Sequence, residues 1–320
     1  MNLFATILTN SAPSSNYRGE SEENRTIIQK ITRGRHEYAF VSPEAIRNAL
    51  REQLRSYGLP SNRERLRNEE QLAVRFEDYP WPEKYADDFY FGYLVADRKQ
   101  IPAAVQKERS FQFKRDSIIR TNLAVALEPY RQDSVFSQSP LTIKNEKAPW
   151  QNATTSALLH REISATAFQY PLALNLRDCG LEGAAKKGSP HRSWFVQLLR
   201  AISELNDVSG NHARSYFEFA PASIVVRVTP SLVAGYDTYG FMPDGSFPEL
   251  VKGIEKGDYP GKEFLFGGRL VKDVMTPKER EDLRGKGVRL FRMANQVLDM
   301  IAREKAEAGF LETASVAWVE

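Results

Sequence analysis

At 320 residues, 42% hydrophobic and 27% charged, the chain is long enough for one large domain with insertions or for two smaller ones, and its composition is that of a globular protein with a real core. A net charge of +3 excludes a histone-like polycation, so any nucleic-acid surface has to come from local clustering. The single cysteine, Cys179, excludes a disulfide framework and a cysteine-based zinc site.

Residues 3–9 (LFATILT) alternate Leu3, Ala5 and Ile7 against Phe4, Thr6 and Leu8. Both sets are largely apolar, which predicts a central strand and not a signal peptide, since no basic region precedes it. A long polar and basic loop follows, through Asn16-Tyr17-Arg18-Gly19, Lys30 and Arg33-Gly34-Arg35. Compact domains keep loops of this length when they bind something. Ser42 and Pro43 then start a helix as N-cap and first helical residue. Ile46, Ala49, Leu50 and Leu54 form its apolar stripe, with Arg47, Arg51 and Arg55 in a row beside it. Arg51 has no acid three or four residues away, only like charges at four. Such a row near a helix N-terminus suits phosphates, although a solvated helix face accounts for it equally well.

Gly58-Leu59-Pro60-Ser61-Asn62 ends that helix with turn chemistry. The charged stretch 63–70 reads as helical, and Tyr79-Pro80-Trp81-Pro82 breaks it. From Arg98 to Arg120 seven basic residues, Lys114 and Arg115 among them, face two acids, with Phe111 and Phe113 inside the run. Interleaved cations and rings suit a single-stranded nucleic-acid groove. The rings fit one buried face of a strand slightly better. Residues 128–158 read as a β-hairpin arm of zero net charge, with a short strand at 141–143 and with Phe136 and Trp150 exposed unless the arm docks.

Residues 162–176 carry one long strand pattern, 192–205 a helix and 222–228 a strand between Pro221 and Pro230. Strand, helix, strands, helix, strand fits an α+β fold with a ferredoxin-like, or RRM-like, split βαβ core. Thr276 and Glu279 make a capping box, and residues 287–308 read as a longer helix with Leu290 and Phe291 on its apolar face. The glycine–aromatic stretches 235–241 and 266–269 are weak signals for backbone approach to a ligand.

There is no Walker motif, nucleophile elbow, HExxH or dinucleotide fingerprint, and His36, His160, His191 and His212 show no metal spacing. Catalysis is unsupported, no cofactor or metal is expected, and no apolar run approaches membrane-spanning length. The expectation is a soluble cytoplasmic protein without a membrane partner.

Several stretches, in this order and spacing, resemble the Cas seven family, the repeated backbone subunit of type I CRISPR interference complexes (Cascade), most closely its DevR-type autoregulator branch of type I-B-like systems. They are Ala5-Thr6-Ile7-Leu8, Asn16-Tyr17-Arg18-Gly19, residues 38–51, Lys114-Arg115-Asp116-Ser117, Ala126-Leu127-Glu128-Pro129-Tyr130 and residues 163–170. The resemblance runs over most of residues 1–230. It implies an RRM-like palm (1–57 and 159–230), a finger insertion (58–128), a thumb hairpin (129–158) and a partly helical C-terminal palm extension (231–320). It further implies antiviral defence by a non-catalytic scaffold that binds guide RNA (crRNA), stacks head to tail with further copies of itself and with other Cascade subunits, and supports pairing of a target DNA strand. Arg47 and Arg51 fall on the family's basic helix positions and Arg18 on its basic loop position. Lys30, Arg33 and Arg35 share that loop, Lys114 and Arg115 lie in a matching motif, and Phe136 is the expected thumb wedge. Glu44, where the family commonly has Gln, and Pro43 depart from the pattern and carry no contact over. Related type III subunits cut RNA with a first-loop aspartate. Here that loop contains only Glu20, Glu22, Glu23 and Glu37 as acids, which favours the non-cleaving scaffold. A metal-dependent RNA-cleaving subunit and a stand-alone single-stranded RNA regulator are the alternatives.

Overall fold

The computed structural model describes residues 1–14, 17–22, 25–65, 74–108, 111–138, 150, 158–181, 190–208 and 218–318, with the backbone alone at 17–22, 25–26, 65, 137 and 158–159. In chain order the elements used below are β1 (Asn2–Thr9), β2 (Lys30–Arg33), β3 (His36–Val41), α1 (Pro43–Ser56), α2 (Ala86–Phe91), β4 (Ile119–Thr121), β5 (Ala124–Ala126), β6 (Asp133–Gln138) and β7 (Leu158–Thr166). They continue with β8 (Phe168–Asn175), α3 (His191–Ser203), β9 (Pro221–Thr229), α4 (Pro248–Lys256), β10 (Phe264–Gly268), α5 (Pro277–Gly285), β11 (Arg289–Phe291) and α6 (Ala294–Ala306). The fold is mixed α+β.

Among the described residues, nine strands form the main sheet in the order β11-β10-β9-β1-β8-β5-β3-β2, with β4 also paired to β8. The two apolar faces of β1 decide its place. It pairs antiparallel with β8, Leu3 opposite Leu174 and Ile7 opposite Tyr170, and with β9, Leu3 opposite Val228 and Ile7 opposite Ile224. Leu3, Ala5 and Ile7 pack under α1, α3 and α6, against residues such as Leu50, Phe195 and Ile301. Leu8 faces a second cluster with Val225, Phe247, Phe264, Phe266 and Leu283. Thr6, on that same side, lies within hydrogen-bond distance of the buried Tyr236 hydroxyl at 3.3 Å. Both faces of the sheet are thus covered, as its continuous apolar strands require. From β1 the chain passes through α1 to β5, then β8, α3 and β9. Their order in the sheet, β9-β1-β8-β5, is a split βαβ connectivity. The two crossover helices are tied together where Tyr57 donates to Glu204 (2.6 Å) and Gln53 donates to the Glu204 carbonyl (2.8 Å).

Several expectations need correcting. The pattern at 162–176 is two strands: β7 and β8 part at Ala167 and join different sheets. β7 pairs with β6 (Phe136 opposite His160), with Ala12–Ser14 and, in parallel, with Arg25–Ile28, which pairs in turn with Tyr17–Glu22. The long first loop is therefore not irregular: much of it forms a second sheet with the arm, and Lys30–Val41 is a hairpin at the edge of the main sheet. Arg63–Arg65 is no helix but a short strand paired with Val74–Phe76, while 66–70 lie outside the described residues. Leu290 and Phe291 belong to the parallel edge strand β11, and the helix begins at Ala294. Phe111 and Phe113 lie outside strands and stack edge to face, 5.3 Å apart. The expected strand at 141–143 falls outside the described residues. Gly267 and Gly268 serve protein packing: a Cβ on the first would press on Val297 and Met293, and on the second would overlap the Ala222 carbonyl.

Candidate nucleic-acid interface

The site grows from α1. The Ser42 side chain accepts a hydrogen bond from the Ala45 N–H at 3.2 Å, which fixes the helix start. Ile46, Ala49, Leu50 and Leu54 are buried, and this sets Arg47 and Arg51 on the flank of the helix. Against that flank lies α2, six residues all buried, ending at Gly92. Gly92 has φ of 65°, and a Cβ there would overlap the Arg115 carbonyl oxygen, so only glycine fits.

Among the described residues, four guanidiniums gather around this short helix and its end. Arg47 donates to the Phe91 carbonyl at 2.7 Å, and Arg63 to the Gly92 carbonyl at 2.6 Å. Arg51 lies 4.5 Å over the Phe91 ring and Arg115 lies 5.3 Å over the Phe89 ring. The last carbonyls of a helix attract cations, which accounts for the first two contacts. The concentration of like charge is costly all the same. Burial, with the charges of Arg63 and Arg47 added, pushes Arg51 down to about 9, while Asp87 and Asp88 pull the other way. Burial also lowers Arg47, with Glu44 opposing and Arg63 adding to the shift.

The remaining expected residues are dispersed. Lys30 forms an ion pair with Glu162 at 3.2 Å and sits 4.3 Å over the Tyr130 ring, so its charge already has a buried partner. Arg33 and Arg35 are exposed beside the Gly34 turn of the β2–β3 hairpin, with Arg33 5.6 Å from the Tyr239 ring centre. Lys114 is exposed and pairs with exposed Asp116 at 3.1 Å. Phe136 is 54% exposed on β6, edge-on to His160 at 5.2 Å, and Trp150 is 58% exposed. Arg18 has its backbone in the Tyr17–Glu22 strand, and its side chain lies outside the described set. Sequence reasoning missed Arg63, because the stretch containing it scans as a charged helix. The turn at 58–62, which sends the chain back toward α1, was the available signal. Among the described residues no group of three or more His, Cys, Asp or Glu is arranged to hold a metal ion, and no helix is long and apolar enough to cross a membrane.

No protein-family model matches the chain. It is 29% identical over 299 residues to the CRISPR-associated protein Cas7/Cst2/DevR of Myxococcus xanthus (strain DK1622), a match covering 89% of this chain and 92% of that protein. Two solved chains share the fold. One, from a CRISPR RNA-guided surveillance complex in a pre-nicking state, superposes with a TM-score of 0.60 at 12% identity, covering 95% of this chain and 100% of its own. The other, from a CRISPR RNA-guided surveillance complex, gives 0.54 at 14% identity, covering 95% and 99%. The chain is thus similar along nearly its whole length to a CRISPR-associated Cas7/Cst2/DevR protein, and its fold is that of chains from CRISPR RNA-guided surveillance complexes.

Proposed function

We propose that the chain is a non-catalytic, guide-RNA-binding backbone subunit of a type I CRISPR interference complex, acting in the cytoplasm. Copies stack head to tail along one crRNA with the other Cascade subunits, and the bound guide pairs with the target DNA strand. The observation that carries this reading is the near-full-length match to a CRISPR-associated Cas7/Cst2/DevR protein. The fold shared with chains of RNA-guided surveillance complexes supports it, as does the split βαβ core expected of an RRM-like palm. In this reading the palm is built on β1, α1, β5, β8, α3 and β9, residues 58–128 are the finger, and the hairpin through β6 and β7 is the thumb, with exposed Phe136 as its wedge. Arg47 and Arg51 on the palm, Arg115 on the finger and the exposed Arg33 and Arg35 at the hairpin tip hold the guide backbone. Sequence is read by base pairing, and the protein grips shape and phosphates.

RNA extracted from the tagged chain purified from its native cells tests this. One discrete length is expected, and a broad mixture or no RNA contradicts the assignment. Complementary RNA added to that material with magnesium should remain intact on a gel, and its cutting would assign the chain to the cleaving class instead.

A further inference from the structure

We infer that Arg63 is the third cation of an anion socket shared with Arg47 and Arg51, and that this socket takes one phosphodiester of single-stranded RNA. The inference deepens the RNA-binding reading and rests on it for the identity of the anion. Arg47 and Arg51 come from α1 and Arg63 from the strand after the 58–62 turn, so the three converge from two segments. Between them stand the Phe91 and Gly92 carbonyls, which accept one bond each from Arg47 and Arg63, and the Phe91 ring beneath Arg51. Those partners are neutral.

Three acids act on the cluster: Glu44 is exposed, and Asp87 and Asp88 bond other donors, although Asp88 Oδ1 is buried without a hydrogen-bond partner. Asp87 Oδ1 accepts from the Asn62 N–H (2.9 Å), and its Oδ2 from the Arg63 N–H (3.0 Å) and the Ser61 hydroxyl (3.2 Å). Asp88 Oδ2 accepts from the Asn62 side-chain amide (2.8 Å) and the Trp81 N–H (3.0 Å). Among the described residues, Arg47, Arg51 and Arg63 form no ion pair with a carboxylate, and the Nε of each is buried with no hydrogen-bond partner. Half-buried like charges that no carboxylate pairs directly, and that Glu44, Asp87 and Asp88 offset only in part, are unfavourable, and an entering anion offsets that cost. Guanidinium forks match the two non-bridging oxygens of a phosphodiester. A row of arginines that only solvates a helix would point outward, whereas these turn in around Phe91.

The test compares the full-length protein with R63Q and R63K in binding a short single-stranded RNA across a range of salt. R63Q should bind about tenfold more weakly, with the salt slope reduced by about 0.7, the share of one phosphate contact on a single strand. R63K, which keeps the charge and a donor for Gly92, should keep the slope and lose only part of the affinity. Wild-type affinity and slope in R63Q overturn the inference. So does an equal loss in both variants with the slope unchanged, which marks Arg63 as a structural tether. If the wild type binds no RNA, the functional reading fails on its own, and the socket is then decided by inorganic phosphate and arginine Nε–H resonances. A saturable shift at Arg63 supports the socket, and no shift overturns it.

Discussion

Replacing Glu162 by Gln tests how the arm is fastened to the body. The Glu162 carboxylate is only 4% exposed. It accepts from the Ile28 N–H at 3.0 Å and from Lys30 Nζ at 3.2 Å, tying β7 to the strand at Arg25–Ile28 and to the β2–β3 hairpin. Gln keeps an oxygen for Ile28 but leaves the Lys30 ammonium, 19% exposed, without its counter-ion. An uncompensated, largely buried charge of this kind costs about 2 kcal/mol. With an unfolding entropy of about 2.1 cal/mol/K per residue, a chain of this length should melt about 3 °C lower if it unfolds as one unit. The pH dependence follows from the direction of the carboxyl shift. Burial alone would raise Glu162, but the Ile28 and Lys30 hydrogen bonds and the Lys30 charge outweigh it, so the group titrates below the usual carboxylate range. A depressed folded pKa stabilises above the unfolded value, about 4.3, and that contribution fades as pH falls through the folded value. The melting gap between wild type and E162Q should therefore be widest near neutral pH and shrink below about pH 4. Calorimetry at pH 7, 5 and 3 checks this. No gap at pH 7, or a gap that does not vary with pH, refutes the reasoning and returns Lys30 to the free RNA-binding set.

Exchanging both Arg47 and Arg51 for Ala should weaken RNA binding alike at all sequences and lower the salt slope by about 0.7 per lost phosphate contact, read by filter binding. Gly92→Ala places a Cβ on the Arg115 carbonyl at positive φ. It should cost about 2–4 kcal/mol and speed amide exchange around α2 before β1, as hydrogen exchange would show. Asp299 is fully buried and accepts from the Phe310 and Leu311 N–H groups, the Ser315 hydroxyl and Arg303. Asp299→Ala should cost about 3–5 kcal/mol and expose the chain after α6 to limited proteolysis well below the melting temperature.

What was legible in the sequence was local. The two apolar faces of residues 3–9 place β1 in the middle of the sheet, and Ser42-Pro43 and Thr276/Glu279 set the starts of α1 and α5. The α3 and β9 segments follow their periodicity within a residue or two. What was not legible depends on partners far along the chain. Residues 162–176 are continuous in β-forming residues, and only the partners available to each half, Phe136 on one side and Ile7 on the other, divide them at Ala167. Polar stretches such as Tyr17–Glu22 carry no apolar period to read, and the strand there shows only through its pairing with Arg25–Ile28. The arginine row on α1 was visible. Its inward turn was not, since Phe91, whose carbonyl and ring receive it, lies some forty residues away.

The central claim is that many copies of this chain share one guide. Native mass measurement of the complex purified through a tagged chain addresses it most directly. Several copies of the chain per single RNA molecule, together with other subunits, are expected. A monomer, or one chain per RNA, would contradict it.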